Sequence, residues 1–256
     1  MCLIVVAWKS HPRHPLVVAA NRDEFYKRPS IAAHYWKESP DVLGGRDLEK
    51  GGTWFGVNRK GHFAAITNFR GGSLERKGRS RGELVARFLL SDLDCERFMA
   101  EIDRDRASYN PFNLLISDGT QLAYTSEEHS SYEILTPGIH VIGNDRLNSD
   151  SRKINVARAA MAKRLQGEFS EERLFDLLAD NTPTENTEDP LQKNLSAFFV
   201  RAQEEEYGTR ASSLYIQDRD GQAVFCERQF DAKGPIGSSK RFEIATLNAA
   251  KVSQHL

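Results

Sequence analysis

Cysteine is scarce in this chain: Cys2, Cys95 and Cys226 are the three in 256 residues, and they lie far apart. They match no metal-ligand spacing and no even-numbered disulfide framework, which points to a reducing compartment. Long hydrophobic runs are missing too. The apolar N-terminal stretch stops at Trp8 with no basic region before it, so it reads as neither a secretory signal nor a membrane span. An amphipathic, acid-poor leader is excluded by the early Asp23 and Glu24. Charge of one sign is lacking as well. Charged residues are 28% of the chain, yet the formal net charge is −1, so no global field favours nucleic acid or an acidic membrane surface. The seven histidines include no helical i, i+4 pair, and no glycine-rich phosphate loop, zinc pattern or G-x-S-x-G elbow occurs. These absences predict a cytoplasmic protein with no membrane span, no nucleic-acid partner, no metal and no cofactor. With no linker and no internal repeat, one domain over residues 1–256 is expected.

What is present is a pattern of strands and helices. Cys2–Trp8 and Leu16–Ala20 are apolar strand segments separated by the double-proline turn His11-Pro12-Arg13-His14-Pro15, which predicts a hairpin. Strands are expected near Thr53–Val57 and His62–Phe69, joined by a tight turn at Asn58-Arg59-Lys60-Gly61 in which Gly61 takes positive φ. Helices are expected from Ser80 or Arg81 to Leu90, near Asp94–Ile102, and over Ser151–Leu165 and Ser170–Ala179. Strands recur at Asn113–Ser117, Gln121–Thr125, Tyr132–Leu135 and Ile139–Ile142. Polar Asp180–Asn194 reads as a loop. Ala211–Asp218 and Ala223–Phe230 form a hairpin around Asp220-Gly221, and Arg241–Thr246 is a last strand. The basic tract Arg70–Arg81 reads as a solvated loop near a pocket, with anion binding as the lesser alternative. The order predicts an α+β layered fold of antiparallel sheets with helices outside.

Cys2 follows Met1 directly. Removal of Met1 would leave a thiol and a free α-amine on one Cα. Such an amine has a pKa of about 7.7–8.0 and can serve as a base near neutral pH, while the thiolate is the nucleophile. The predicted hairpin returns Asn21-Arg22-Asp23-Glu24 to the neighbourhood of residue 2. Arg22 is then expected to lower the thiol pKa, and Asp23 to orient the α-ammonium. Asn58 and Asn144 are candidate donors to an oxyanion, although asparagine in a turn ordinarily serves the backbone. Cys95 and Cys226 read as packing residues.

Several ordered stretches resemble one family. They are Met1-Cys2-Leu3-Ile4, Ala19-Ala20-Asn21-Arg22-Asp23-Glu24-Phe25, Gly51-Gly52-Thr53-Trp54-Phe55-Gly56, Arg81-Gly82-Glu83-Leu84-Val85, Tyr109-Asn110-Pro111-Phe112-Asn113-Leu114, Tyr207-Gly208-Thr209-Arg210 and Glu227-Arg228. They resemble the NRDE family, also called the transport and Golgi organisation protein 2 family, which is similar to the cysteine branch of the N-terminal nucleophile hydrolases. The resemblance implies a four-layer αββα sandwich. It also implies catalytic roles for Cys2, Arg22, Asp23, Asn58 and Asn144, with Asn21, Glu24 and Arg210 as substrate-binding residues. One departure stands out. Val141-Ile142-Gly143-Asn144 replaces the family's Gly-Leu-Ser-Asn and Ser151-Arg152 its Pro-Trp, while Asn144 and Lys153 are kept. Two functions are carried forward. The first is a cysteine amidohydrolase acting on a non-peptide carboxamide. The second is a non-catalytic carrier of a haem-like or acyl-CoA-like ligand, which the resemblance suggests through the relatives' association with Golgi organisation and with haem or lipid handling.

Overall fold

Unbroken apolar strands such as Leu3-Ile4-Val5-Val6-Ala7-Trp8 need cover on both faces, because successive side chains point to opposite sides of a sheet. The computed structural model provides that cover; it describes residues 2–70, 78–127, 129–167 and 169–246. In chain order the elements are β1 (Leu3–Trp8), β2 (Leu16–Phe25), β3 (Ser30–Trp36), β4 (Ser39–Asp47), β5 (Phe55–Asn58) and β6 (Phe63–Asn68). Then come helices α1 (Gly82–Leu90) and α2 (Cys95–Asp105), and strands β7 (Phe112–Ser117), β8 (Leu122–Ser126), β9 (Glu133–Ile134) and β10 (Gly138–Ile142). Helices α3 (Arg152–Leu165), α4 (Glu171–Leu178) and α5 (Pro190–Leu195) precede β11 (Arg201–Ala202), β12 (Tyr207–Gln217), β13 (Gln222–Asp231) and β14 (Gly234–Ala245).

Two antiparallel sheets result. One runs β10-β1-β2-β12-β13-β14, with β11 beside β12; the other runs β3-β4-β5-β6-β7-β8-β9. Ile4, Val6, Val18 and Ala20 from the first sheet meet Phe55, Val57 and Phe63 from the second in the central core. The alternate residues Leu3, Val5, Val17 and Ala19 face outward onto Ile154 and Met161 of α3 and Leu174 and Leu178 of α4. On the far side, Leu84, Val85 and Phe88 of α1 and Phe98 and Ile102 of α2 cover Ala64, Ile66 and Leu114 of the second sheet. The layers are therefore α, β, β, α, the sandwich that the resemblance implies. Among the described residues no helix is long and apolar enough to cross a membrane.

Most expected elements are present, and the tight turn at Asn58–Gly61 has Gly61 at φ 88°. Three readings change. β3 and β4 were not expected, because bulges and the Pro40, Gly44 and Gly45 interruptions hide their alternation. Asp180–Asn194 is not wholly a loop: Asp189 caps α5, accepting from the Leu191 and Gln192 amides. The last strand is longer than Arg241–Thr246, starting at Gly234. Of the basic tract Arg70–Arg81, residues 71–77 lie outside the described residues.

The crossing of the Gly51–Thr53 turn over the start of α1 sets one wall near the site. Thr53 N donates to Gly82 O at 3.1 Å, and a Cβ on Gly52 would lie 2.4 Å from the Gly82 carbonyl carbon. Gly52→Ala must push the helix away. Its expected cost is about 1–3 kcal/mol, as for other overpacked sites, read as a lower urea midpoint at unchanged slope.

Candidate active site

The site is laid out by strand register. Leu3 pairs with Asn21, so the next residue of the chain, Cys2, falls opposite Arg22. Arg22 pairs with Ala211, and Ala211 with Gln229. Alternation puts this row on the same face as Ile4 and Ala20, toward the second sheet. There the apolar core gives way to a cavity of about 460 Å³ whose walls include Cys2, Arg22, Glu24, Tyr207, Arg210 and Glu227.

Arg22 is 8% exposed. One of its nitrogens lies 3.6 Å from Glu24 Oε2, while Nη1 is buried with no hydrogen-bond partner among the described residues. The Cys2 thiol is only partly buried by area and sits 3.7 Å from the Asp23 carbonyl oxygen, to which it donates. The hydroxyl of Tyr207 donates to the same oxygen at 3.1 Å. One oxygen of the Asp23 carboxylate is held by the neighbouring strand: Oδ1 accepts from Thr209 Oγ1 at 2.7 Å, and that hydroxyl oxygen also accepts from Val200 N.

At the thiol, burial and the charge of Arg22 act in opposite directions. Burial pushes the Cys2 thiol above its ordinary pKa and the Asp23 carboxylate adds to the rise; Arg22 pulls it down but does not win. Tyr207 is pushed far up by burial and by Cys2, Asp23 and Glu24. Lys153 of α3, 5% exposed, donates to Leu195 O at 3.1 Å. Burial lowers its pKa, while Asp23 and Cys2 act to raise it.

Three expected site residues do other work. Asn21 is fully buried on the outer face. Its Nδ2 donates to the carbonyls of Leu178 (2.8 Å) and Phe198 (2.9 Å), and its Oδ1 accepts from Ser212 Oγ at 2.6 Å. It fastens β2 to the helix layer and cannot reach a ligand. Asn58 donates to Leu89 O at 2.8 Å and accepts from the Lys60 and His62 amides, each at 3.0 Å. It closes the turn, tethers the end of α1, and does not line the cavity. Arg210 lines the cavity but is a clamp. It is the extra residue at the β12 bulge, and its Nη1 donates to the carbonyls of Phe25, Tyr26 and Arg28. That holds the turn carrying Arg28, whose guanidinium pairs with Asp47 (2.7 Å) and Glu24 (3.7 Å).

Asn144 follows β10, whose Ile142 pairs with Ile4, so it lies beside Cys2 on the other flank from Arg22. Its Nδ2 donates to Asn68 O at 2.7 Å, and Oδ1 is buried without a partner. Cys2, Arg22 and Glu24 are thus brought together in the cavity wall, with Asp23 on the next position of β2; Asn144 stands beside Cys2 but is not a wall residue. Tyr207, Lys153 and Glu227 were given no role by sequence reasoning. Their only signal was membership of the matched stretches.

The charge balance at the thiol can be tested directly. Asp23→Asn should move the pH midpoint of Cys2 alkylation by iodoacetamide downward, and Arg22→Gln should move it upward. Peptide mass spectrometry across a pH series reads both. Cys226, pushed up to about 12 by burial and Glu171, and Cys95, held still higher by burial and Asp118, should stay unlabelled at pH 8.

Comparison with known proteins places these features in context. The family profile for Transport and Golgi organisation 2 matches residues 1–232. The Transport and Golgi organization protein 2 homolog of Bos taurus is 32% identical over 265 residues, covering 92% of this chain and 95% of that protein. Its Homo sapiens counterpart is 31% identical over 257 residues, covering 89% and 92%. Among solved structures, a Caenorhabditis elegans N-acylethanolamine-hydrolyzing acid amidase ortholog aligns at TM-score 0.49 and 12% identity, covering 84% of this chain and 92% of that one. By the profile match and by relatives above 30% identity over nearly its whole length, the chain belongs to the Transport and Golgi organisation 2 family.

Proposed function

We propose that the protein is a cysteine amidohydrolase of the N-terminal nucleophile type, acting on a small non-peptide carboxamide. The observation that carries this reading is the placement of Cys2 in a 460 Å³ cavity with a buried, incompletely paired arginine on the adjacent strand. Cys2 Sγ attacks the amide carbon and its proton passes to the α-amine exposed by loss of Met1. The carbonyl oxygen becomes an oxyanion, for which Arg22 Nη1 and the Asn144 amide are the candidate donors. Collapse breaks the C–N bond: the leaving amine takes the proton and an acyl thioester remains. Water, deprotonated by the same α-amine, cleaves the thioester to a carboxylate and restores the thiol. Asp23 holds the ammonium form of the base in place.

The raised thiol pKa fits this scheme as a latent state. With Met1 in place the thiol has no base of its own and stays protonated; removal puts an amine on the same residue. The protonated thiol also supports a second reading, in which the cavity carries an acyl or haem-like ligand without chemistry.

Turnover separates the two. A fluorogenic N-acyl aminocoumarin amide should be cleaved by protein that has lost Met1. Cys2→Ala should reduce the rate at least ~10³-fold, the scale seen when a nucleophile is removed. A form with leucine inserted after Met1, which blocks removal, should be equally poor. Rapid quenching should trap the acyl group on the N-terminal peptide. If cleavage by the intact protein and by Cys2→Ala were equal, the hydrolase reading would fail, and tight haemin or acyl-group binding by the same protein would then favour the carrier.

A further inference from the structure

Among the groups that the scheme above leaves unused, Glu227 stands out. It is 2% exposed on β13 yet forms part of the cavity wall. Oε1 is filled: it accepts from Ala33 N at 2.6 Å and from Gln229 Nε2 at 2.8 Å. The Ala33 amide is available because β3 is bulged there and its N–H has no ladder partner. Among the described residues, Oε2 meets only the Ser213 hydroxyl, at 3.3 Å. A carboxylate has about four acceptor positions, so lone-pair capacity remains on that oxygen. The space next to it is kept open by Gly45, another wall residue, where a Cβ would lie 3.9 Å from Oε2.

No described lysine, arginine or histidine forms an ion pair with Glu227. Lys240, its cross-strand neighbour, donates instead to the Ala33 carbonyl at 3.1 Å. Two cations of the wall are engaged elsewhere: Arg28 by Asp47 and Glu24, Arg210 by three carbonyls. A buried carboxylate without a cation is costly unless something supplies one. Burial accordingly pushes its pKa up, while the Ala33 amide, Gln229, Ser213 and Lys240 favour the charged form.

The distance to Cys2 follows from the register. Glu227 pairs with Ser213, Ser213 with Ala20, and Ala20 with Ile4. Glu227 is therefore three strands from β1 and two residues below the Cys2 row, on the same face. Three strand spacings and two residue rises give roughly 15 Å between the Cα atoms. One cavity spans both ends.

We propose that Glu227 is a specificity-determining residue whose Oε2 receives a primary ammonium group at one end of an elongated substrate, while the substrate's carbonyl lies at Cys2. The substrate class is an N-acyl compound bearing a cationic amine remote from its amide. This rests on Cys2 being the reacting end. A role confined to holding Ala33 needs only Oε1, and an amide oxygen would serve as well.

The test uses thiol labelling, which reads the cavity whether or not Cys2 turns over a substrate, so failure here is distinguishable from failure of the hydrolase reading. Methanethiosulfonates ending in a primary ammonium or a hydroxyl are compared at pH about 8.5, where a primary amine is still protonated. Their linkers have roughly two or roughly seven methylenes, the longer chosen to span the three strand spacings. The second-order rate of Cys2 modification is followed by mass spectrometry. With the long linker the ammonium reagent should react about tenfold faster than its hydroxyl twin, the scale of one charge-assisted hydrogen bond. With the short linker, beside Arg22, it should show no advantage. Glu227→Gln, which keeps an acceptor for Ala33, should remove the long-linker preference. Equal rates for the two long reagents in the unaltered protein, or a preference that persists in Glu227→Gln, would overturn the proposal. The first of these needs no variant to fold.

Discussion

The site depends on the pairing of β1 with β2. Strand side chains alternate with period two, so a slip of one residue would turn Cys2 from the cavity to the helix layer. Three features fix the register. Apolar residues on both faces of β1 must match two different cores. Asn21 locks β2 from behind with three buried hydrogen bonds. The β12 bulge between Thr209 and Ala211 then shifts the third strand, so that Thr209 meets Asp23 while Arg210 swings out to clamp the Phe25–Arg28 turn. Buried hydrogen bonds of this kind each cost about 1–3 kcal/mol when one partner is left unsatisfied, so a slipped register is strongly disfavoured.

Against that rigid frame, the thiol is placed in a contest between burial and charge. Desolvation acts on the thiolate wherever water is excluded, and Asp23 adds to it. Arg22 opposes both, but its charge is shared with Glu24 at 3.6 Å. Burial of the thiol outweighs the guanidinium beside it, so the proximity of Arg22 alone leaves the thiol pKa raised.

The parts legible in the sequence were those governed by local pattern. The double-proline turn and two apolar runs implied the first hairpin, and the hairpin implied that Arg22 stands by Cys2. Asparagine was where this reasoning failed. Asn21, Asn58 and Asn144 are alike as letters, but the first serves the helix layer, the second a turn and a helix end, and only the third lies beside the thiol. Which face a residue occupies depends on what packs there, and an amide is equally at home in either role. β3 and β4 escaped because their bulges break alternation, and those same bulges free the Ala33 amide that Glu227 accepts. Glu227 was invisible for another reason: its relation to Cys2 runs through four strands whose pairings join distant parts of the chain.

The two faces of β2 also connect the site to the helices behind it. Arg22 faces the cavity, whereas Asn21 and, by alternation, Asp23 belong to the outer face, where Thr209 and the α3 layer lie. Lys153, buried in that layer, feels both Asp23 and Cys2 through the sheet. Lys153 on the outer side and Arg22 on the inner side thus bracket the end of the strand. The protonation of Lys153 and that of the Cys2 thiol are therefore coupled across the sheet. A helix substitution that leaves every cavity wall intact can still shift the titration of the thiol, because the low-dielectric sheet between them screens a charge poorly.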